Sequence, residues 1–69
     1  MVLDMDDAVV CCRELYGRSL ELALAEYIVE DLIDRGYTDT EEVDPADAED
    51  ARRQAGEETG IPYRDMGPR

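Results

Sequence analysis

The sequence predicts an all-α fold, a small three-helix domain followed by a flexible C-terminal tail. Three segments carry apolar residues at the i, i+3, i+4, i+7 spacing of an amphipathic helix, or part of that pattern. Capping residues and glycines stand where these segments begin and end. The 69 residues suffice for one domain. We therefore expect a single helical domain over residues 1–60 and a Pro- and Gly-containing tail over residues 61–69.

The first helix is predicted over residues 6–16. Acidic residues supply a cap and a favourable charge at its N-terminus, and these are Asp4, Asp6 and Asp7. Gly17 follows at the position where a helix commonly ends on glycine. The predicted apolar stripe consists of Met5, Ala8, Val9, Cys12, Leu15 and Tyr16.

The second helix is predicted over residues 20–35, with Ser19 as its N-cap and Gly36 as its stop. Its wide apolar face consists of Leu22, Ala25, Ile28, Val29, Leu32 and Ile33. A second apolar edge extends around its side and consists of Leu20, Leu24 and Tyr27. We expect this helix at the centre of the core, and the second edge leaves a homodimer open.

The third helix is predicted over residues 45–58. Asp44 is a natural N-cap, Pro45 is favoured at the first helical position, and Gly60 ends the segment. The apolar stripe consists of alanines only, namely Ala48, Ala51 and Ala55. Because alanines bury little surface, we expect this helix to be the least stable of the three.

The charge of the chain restricts its partners. Nineteen Asp and Glu residues face seven Arg, with no Lys and no His, so the formal charge is −12. Such a chain repels nucleic acid and anionic membranes, and it attracts basic protein surfaces. The longest apolar stretch is also far shorter than the roughly 20 residues of a membrane-spanning helix. We therefore expect a basic protein as the partner, with no direct binding to nucleic acid or membrane.

Two groups of acidic residues are the candidate partner-binding site. The first is a row at i, i+4, i+8 on the second helix, opposite its core face: Glu26, Glu30 and Asp34. The second is a run without any basic residue: Asp39, Glu41, Glu42, Asp44, Asp47, Glu49 and Asp50. Like charges four residues apart cost about 0.2–0.5 kcal/mol per pair. The row therefore slightly destabilises its helix, and folding does not require it. The third helix differs, because Arg53 lies four residues from both Glu49 and Glu57 and can compensate their charges.

The sequence lacks the residue patterns of a disulfide, a metal site or a catalytic site. Cys11 and Cys12 are adjacent, which strains a disulfide within a helix, and without His they make no zinc set. Cys11 lies at the edge of the apolar stripe, where it could be exposed. The oxygen-rich run of residues 39–44 lacks the glycine and the closing glutamate of a calcium loop. We therefore expect no metal, no cofactor and no enzymatic activity, and two thiols indicate a reducing cytoplasm.

Size, acidity and lack of motifs make the whole chain resemble the phage-encoded acidic inhibitors that mimic DNA, the anti-CRISPR proteins among them. The resemblance is one of class and transfers no individual residue. It implies a basic nucleic-acid-binding partner, such as a CRISPR effector or another DNA-handling host enzyme. Carboxylates would occupy the phosphate-binding groups of that partner and occlude its site.

An alternative explains the acid as background. A halophilic or GC-rich prokaryote also produces acidic chains rich in Ala, Asp, Glu, Arg and Gly. In that case the protein is an antitoxin-like or regulatory interaction protein. It would bind through the apolar edge of Leu20, Leu24 and Tyr27 together with the C-terminal tail, and the carboxylates would only solvate the surface.

Overall fold

The computed structural model describes residues 1–60, and within them it confirms the predicted three-helix fold. The helices are α1 (Ala8–Tyr16), α2 (Leu22–Asp34) and α3 (Pro45–Thr59). Short 3-10 turns precede α1 at Met5–Asp7 and α3 at Thr40–Glu42. The only extended pairing in this part of the chain is an isolated antiparallel bridge between Val2 and Asp39. The predicted tail, residues 61–69, lies outside the described residues.

The ends of α1 and α3 follow their local sequence signals. The Asp4 carboxylate accepts a hydrogen bond from the Asp6 N–H at 3.0 Å and opens the first 3-10 turn. Asp44 accepts from the Ala46 N–H at 2.9 Å and caps α3, as predicted. Gly17 and Gly60 adopt left-handed conformations with φ of 77° and 78°, and they terminate α1 and α3.

The predicted start of α2 is wrong. Ser19 does not cap the helix, because α2 begins only at Leu22 and Glu21 holds the N-cap position without a side-chain hydrogen bond. Leu20 lies in the connection before the helix and is buried in the core. Burial of this leucine thus prevails over the local capping preference. The predicted stop is confirmed, since Gly36 has φ of 101° and directly follows Arg35 at the C-terminal end of α2.

Helix α2 packs against both α1 and α3, as expected for the central element. Its buried residues are Leu24, Ala25, Ile28, Val29 and Leu32. The predicted apolar face is therefore wrong at its two ends, since Leu22 is 60% exposed and Ile33 is 40% exposed. Leu24, which was not predicted on this face, is only 1% exposed, so the buried face lies further around the helix. The reason is that α1 and α3 pack against α2, and a helical pattern alone does not show which flank of the helix its neighbours cover.

The structure decides the burial of two residues in the N-terminal region. Cys11, whose exposure the sequence left open at the edge of the stripe, is fully buried together with Cys12. Met5, which was expected in the apolar stripe, is 39% exposed because it belongs to the 3-10 turn before α1. The 3-10 turn has a different period from an α-helix and rotates Met5 away from the stripe.

Polar contacts help to hold α3, whose apolar stripe is confirmed as Ala48, Ala51 and Ala55. The Tyr16 hydroxyl of α1 donates to the Ala48 carbonyl at 2.7 Å. The Arg52 guanidinium lies 5.3 Å from the centre of the Tyr16 ring, within the range of a cation–π contact. Burial raises the pKa of Tyr16, so its hydroxyl stays protonated and can donate.

Candidate functional site

The acidic segment, residues 39–50, contacts a cation that lies outside it in sequence. The guanidinium of Arg35, just after α2, contacts carboxylates on two helices. Its Nε lies 3.0 Å from Asp31, and its Nη1 and Nη2 lie 3.1 Å from Asp47 and 2.7 Å from Asp50. The hydrogen bonds to Asp50 and Asp31 raise the pKa of Arg35. Arg35 therefore ties the C-terminal end of α2 to the first two turns of α3.

Other carboxylates of the acidic segment also have partners. The Tyr37 hydroxyl donates to Asp47, which raises the pKa of Tyr37. Arg52 contacts Glu49 at 3.0 Å, and Arg53 contacts Asp50 at 3.9 Å. These pairs on α3 span three residues and replace the expected pairing of Arg53 with Glu49.

The beginning of the segment is tied to the N-terminus. Asp39 accepts hydrogen bonds from the Glu41 N–H at 2.9 Å and from the Met1 amino group at 3.1 Å. These two contacts lower the pKa of Asp39. Glu42 accepts from the Thr38 hydroxyl at 3.3 Å, and Asp44 is the cap of α3.

The expectation that the acidic segment lacks compensation is therefore wrong. Of its seven carboxylates, only Glu41 makes no side-chain hydrogen bond or ion pair with residues 1–60. The compensating groups come from Met1, Arg35, Arg52 and Arg53, all outside residues 39–50. Most of this segment is occupied by internal contacts.

The acidic row of α2 behaves differently. Glu26, Glu30 and Asp34 are exposed, as predicted, on the side of α2 opposite the core. At about 100° per residue counted from Leu22, the row centres near 80° and the buried residues centre at about 270°, roughly on opposite sides of the helix. None of its three carboxylates makes an ion pair within residues 1–60. As far as the described part of the chain goes, the row is thus open to a partner.

Two shallow grooves border the row. The first lies between α2 and α3, has a volume of about 230 Å³, and is lined by Tyr27, Glu30, Asp31, Asp34, Gln54, Ala55 and Glu58. The second has a volume of about 260 Å³ and is lined by Met5, Ala23, Glu26, Tyr27 and Glu30. Tyr27 and Glu30 border both grooves, so an aromatic ring stands between two carboxylate-lined depressions.

Tyr27 and Glu58 are residues of this surface that the sequence prediction did not assign to the acidic site. In the sequence, Tyr27 follows the apolar periodicity of α2 and belongs to the same predicted edge as Leu20 and Leu24. Its 44% exposure places it beside the row instead. Glu58 reaches the groove only because α3 packs alongside α2. Glu58 and Glu30 lie on different helices, so no spacing in the sequence indicates that they line the same groove.

The alternative function depends on an exposed apolar edge, and the prediction of this edge is wrong for two of its three residues. Leu20 and Leu24 belong to the core cluster, and only Tyr27 is exposed. The two leucines are therefore not part of an exposed apolar edge. The reason for expecting a homodimer at this edge disappears with them.

The described residues offer few groups for covalent chemistry. Burial raises the pKa of the Cys12 thiol to about 12, which keeps it protonated near neutral pH and makes it a poor nucleophile. Cys11 and Cys12 are both unbridged and buried. In residues 1–60, no cluster of three or more carboxylates or thiols is arranged to hold a metal ion. No helix in the same residues is long and apolar enough to cross a membrane.

Comparison with protein families, with curated proteins and with solved structures finds no match to this chain.

Proposed function

We propose that this protein is a small, non-catalytic acidic inhibitor that mimics DNA. It binds a basic nucleic-acid-binding protein, such as a CRISPR effector, and occludes the surface on which that protein holds nucleic acid. Binding is carried by the acidic row of Glu26, Glu30 and Asp34, together with Glu58 across the groove. The proposed location is the cytoplasm, the host cytoplasm if the chain is phage-encoded, and the two free, buried thiols support a reducing compartment.

The observation that carries this proposal is the absence of ion pairs at the acidic row within residues 1–60. A partner arginine that approaches Glu30 competes with no ion pair from residues 1–60, whereas one that approaches Asp47 must first displace Arg35. Charge-assisted hydrogen bonds contribute about 1.5–3 kcal/mol each when they form without such competition. Partner binding therefore concentrates on α2 rather than on the acidic segment.

The test is displacement of fluorescently labelled duplex DNA from a guide-loaded CRISPR effector. The wild-type protein should displace the DNA, and less so as salt rises. The variant Glu26→Arg, Glu30→Arg, Asp34→Arg should lose at least about 100-fold in potency. Losing two charge-assisted bonds of about 1.5 kcal/mol each already corresponds to that factor.

A matched control separates the row from the net charge. The variant Asp6→Arg, Glu14→Arg, Glu57→Arg changes the formal charge equally, at three exposed positions away from the row. It should retain most of the potency. Equal losses in the two variants would show that only net charge matters. Failure of the wild-type protein to displace DNA from CRISPR effectors and other DNA-binding enzymes would refute the inhibitor proposal.

A further inference from the structure

We infer that the outer face of α2 docks a basic α-helix of the partner, with Arg or Lys side chains at i, i+4, i+8 lying along the acidic row. This inference rests on the proposed function and specifies the structural element that the inhibitor recognises. The docking face consists of the acidic row with Leu22 and Ile33 on one side and Tyr27 on the other.

The spacing of the row favours a helix as its occupant. Residues four apart on a helix advance by about 6 Å along the axis, so the three carboxylates span about 12 Å. Each DNA strand carries one phosphate per about 3.4 Å of axis, so the row has only about half of that line density. Another helix with basic residues at i, i+4, i+8 repeats at the same 6 Å spacing and meets each carboxylate in register.

The flanks of the row add apolar contacts that a helix can use. Leu22 and Ile33 project within about 20° of each other and lie on one side of the row, and they are among the most exposed apolar side chains. Tyr27 lies about 60° beyond the row centre on the other side. An amphipathic basic helix carries apolar residues beside its charged stripe, and these would cover the exposed flanks of α2.

The grooves give the basic side chains defined positions. Each groove has one wall formed by Tyr27 and carboxylates from at least two positions of α2. The aliphatic part of an arginine can pack against the ring while its guanidinium reaches Glu30. Exposed Ala23 in the second groove leaves room for the backbone of the partner helix to approach.

DNA-binding proteins often insert a basic helix into the major groove, so such a helix is available on a partner of the proposed class. A decoy that covers this helix prevents DNA binding without reproducing the geometry of both DNA strands. The charge of the row and the spacing of its carboxylates thus both favour the same occupant, a basic α-helix of the partner.

The test uses two synthetic peptides of about 20 residues with identical composition and charge. The first carries three arginines at i, i+4, i+8 with leucines beside that stripe. The second carries them at i, i+5, i+10, which distributes them around the helix. Circular dichroism establishes that both are equally helical. By fluorescence anisotropy at low salt, the full-length protein should bind the first peptide at least 10-fold more tightly.

Variants locate the binding to the row. Glu30→Gln should weaken binding of the striped peptide about 10-fold and remove most of the preference between the peptides, because Glu30 borders both grooves. Tyr27→Ala should weaken it to a lesser extent. Glu14→Gln, at an exposed position on α1, removes the same charge and should leave the affinity unchanged.

The outcomes separate this inference from the proposed function. Equal binding of both peptides would overturn the helix inference and leave a surface that binds basic segments of any shape. No binding of either peptide would also overturn it. In both cases the DNA displacement assay decides independently whether the protein is an inhibitor. Preference for the striped peptide that survives Glu30→Gln would show that binding occurs elsewhere.

Discussion

The acidic row of α2 and the acidic segment of residues 39–50 differ in what their carboxylates contact. Asp47 and Asp50 share the guanidinium of Arg35, and Asp39 binds the Met1 amino group. The row has no cation within residues 1–60. In sequence, the segment looked the more charged and less compensated of the two. Among the residues that the structure describes, it is the segment that is compensated and the row that is open.

The difference shows that charge compensation depends on tertiary structure. Arg35 follows the last turn of α2 and reaches carboxylates 12 and 15 residues later, because α3 packs back along α2. Carboxylates of the segment therefore contribute to joining two helices. Those of the row repel one another, so the row is the better candidate for a surface shaped by binding.

The largest expected effect concerns Arg35, the cation that distinguishes the two regions. Replacing Arg35 with Met should lower the free energy of unfolding by about 1–2 kcal/mol. It removes three partly exposed ion pairs of about 0.2–1 kcal/mol each and leaves Asp31, Asp47 and Asp50 without that cation. The loss is large for a domain of this size, whose net stability is roughly 3–5 kcal/mol. Urea denaturation followed by circular dichroism measures it.

Arg13→Met provides the control. Arg13 is exposed on α1 and makes no ion pair with residues 1–60, and the substitution changes the net charge by the same amount. The free energy of unfolding should change by less than about 0.5 kcal/mol. Equal destabilisation by both variants would show that net charge, rather than the contacts of Arg35, sets the stability.

Much of the fold could be predicted from local signals. Asp44 and Pro45 open α3, and Gly17 and Gly60 end two helices, since caps and left-handed glycines act over a few residues. The buried flank of α2 could not, because apolar residues cover more of this helix than its neighbours bury. Exposed Leu22 and buried Leu24 differ only in which flank a neighbour covers.

The candidate site was predicted in part, for the same physical reason. The row of Glu26, Glu30 and Asp34 depends on the period of a single helix, and its exposure opposite the core is confirmed. The pairing of Arg35 and the position of Glu58 depend on how α3 lies against α2. The role of the acidic row in partner binding stays a prediction.

A second pair of variants should give effects of opposite sign in the two regions. Glu30→Gln removes two like-charge pairs within the row and should raise the free energy of unfolding by about 0.4–1 kcal/mol. Asp50→Asn removes a carboxylate that contacts Arg35 and Arg53, and should lower it by about 0.5–1 kcal/mol.

Both substitutions remove one negative charge, so any effect of net charge is common to them and cancels in the comparison. Raising the salt concentration should reduce both differences, because these groups are partly exposed to solvent. Urea denaturation at low and moderate salt measures the two variants against the wild type. Changes of the same sign would contradict the distinction between an open row and a compensated segment.

The smallest expected effect is a pH dependence at Asp39, where the acidic segment meets the N-terminus. The hydrogen bond from the Glu41 N–H, followed by that from the Met1 amino group, lowers the pKa of Asp39 below its ordinary value of 3.8. The unfolded chain therefore binds a proton at this site more readily than the folded chain. The stabilisation is complete above the unfolded pKa and is lost as pH falls through the lower, folded pKa.

The substitution Asp39→Asn isolates this contribution, because an Asn side chain can still accept the Glu41 hydrogen bond but carries no charge. The variant should melt at a lower temperature than the wild type near pH 6. The difference should shrink as pH falls below about 4 and vanish once Asp39 is protonated in the folded state. The other carboxylates titrate in both proteins, so their effects cancel in the comparison. A difference that stays constant or grows on acidification would show that the charge of Asp39 does not stabilise the fold through these contacts.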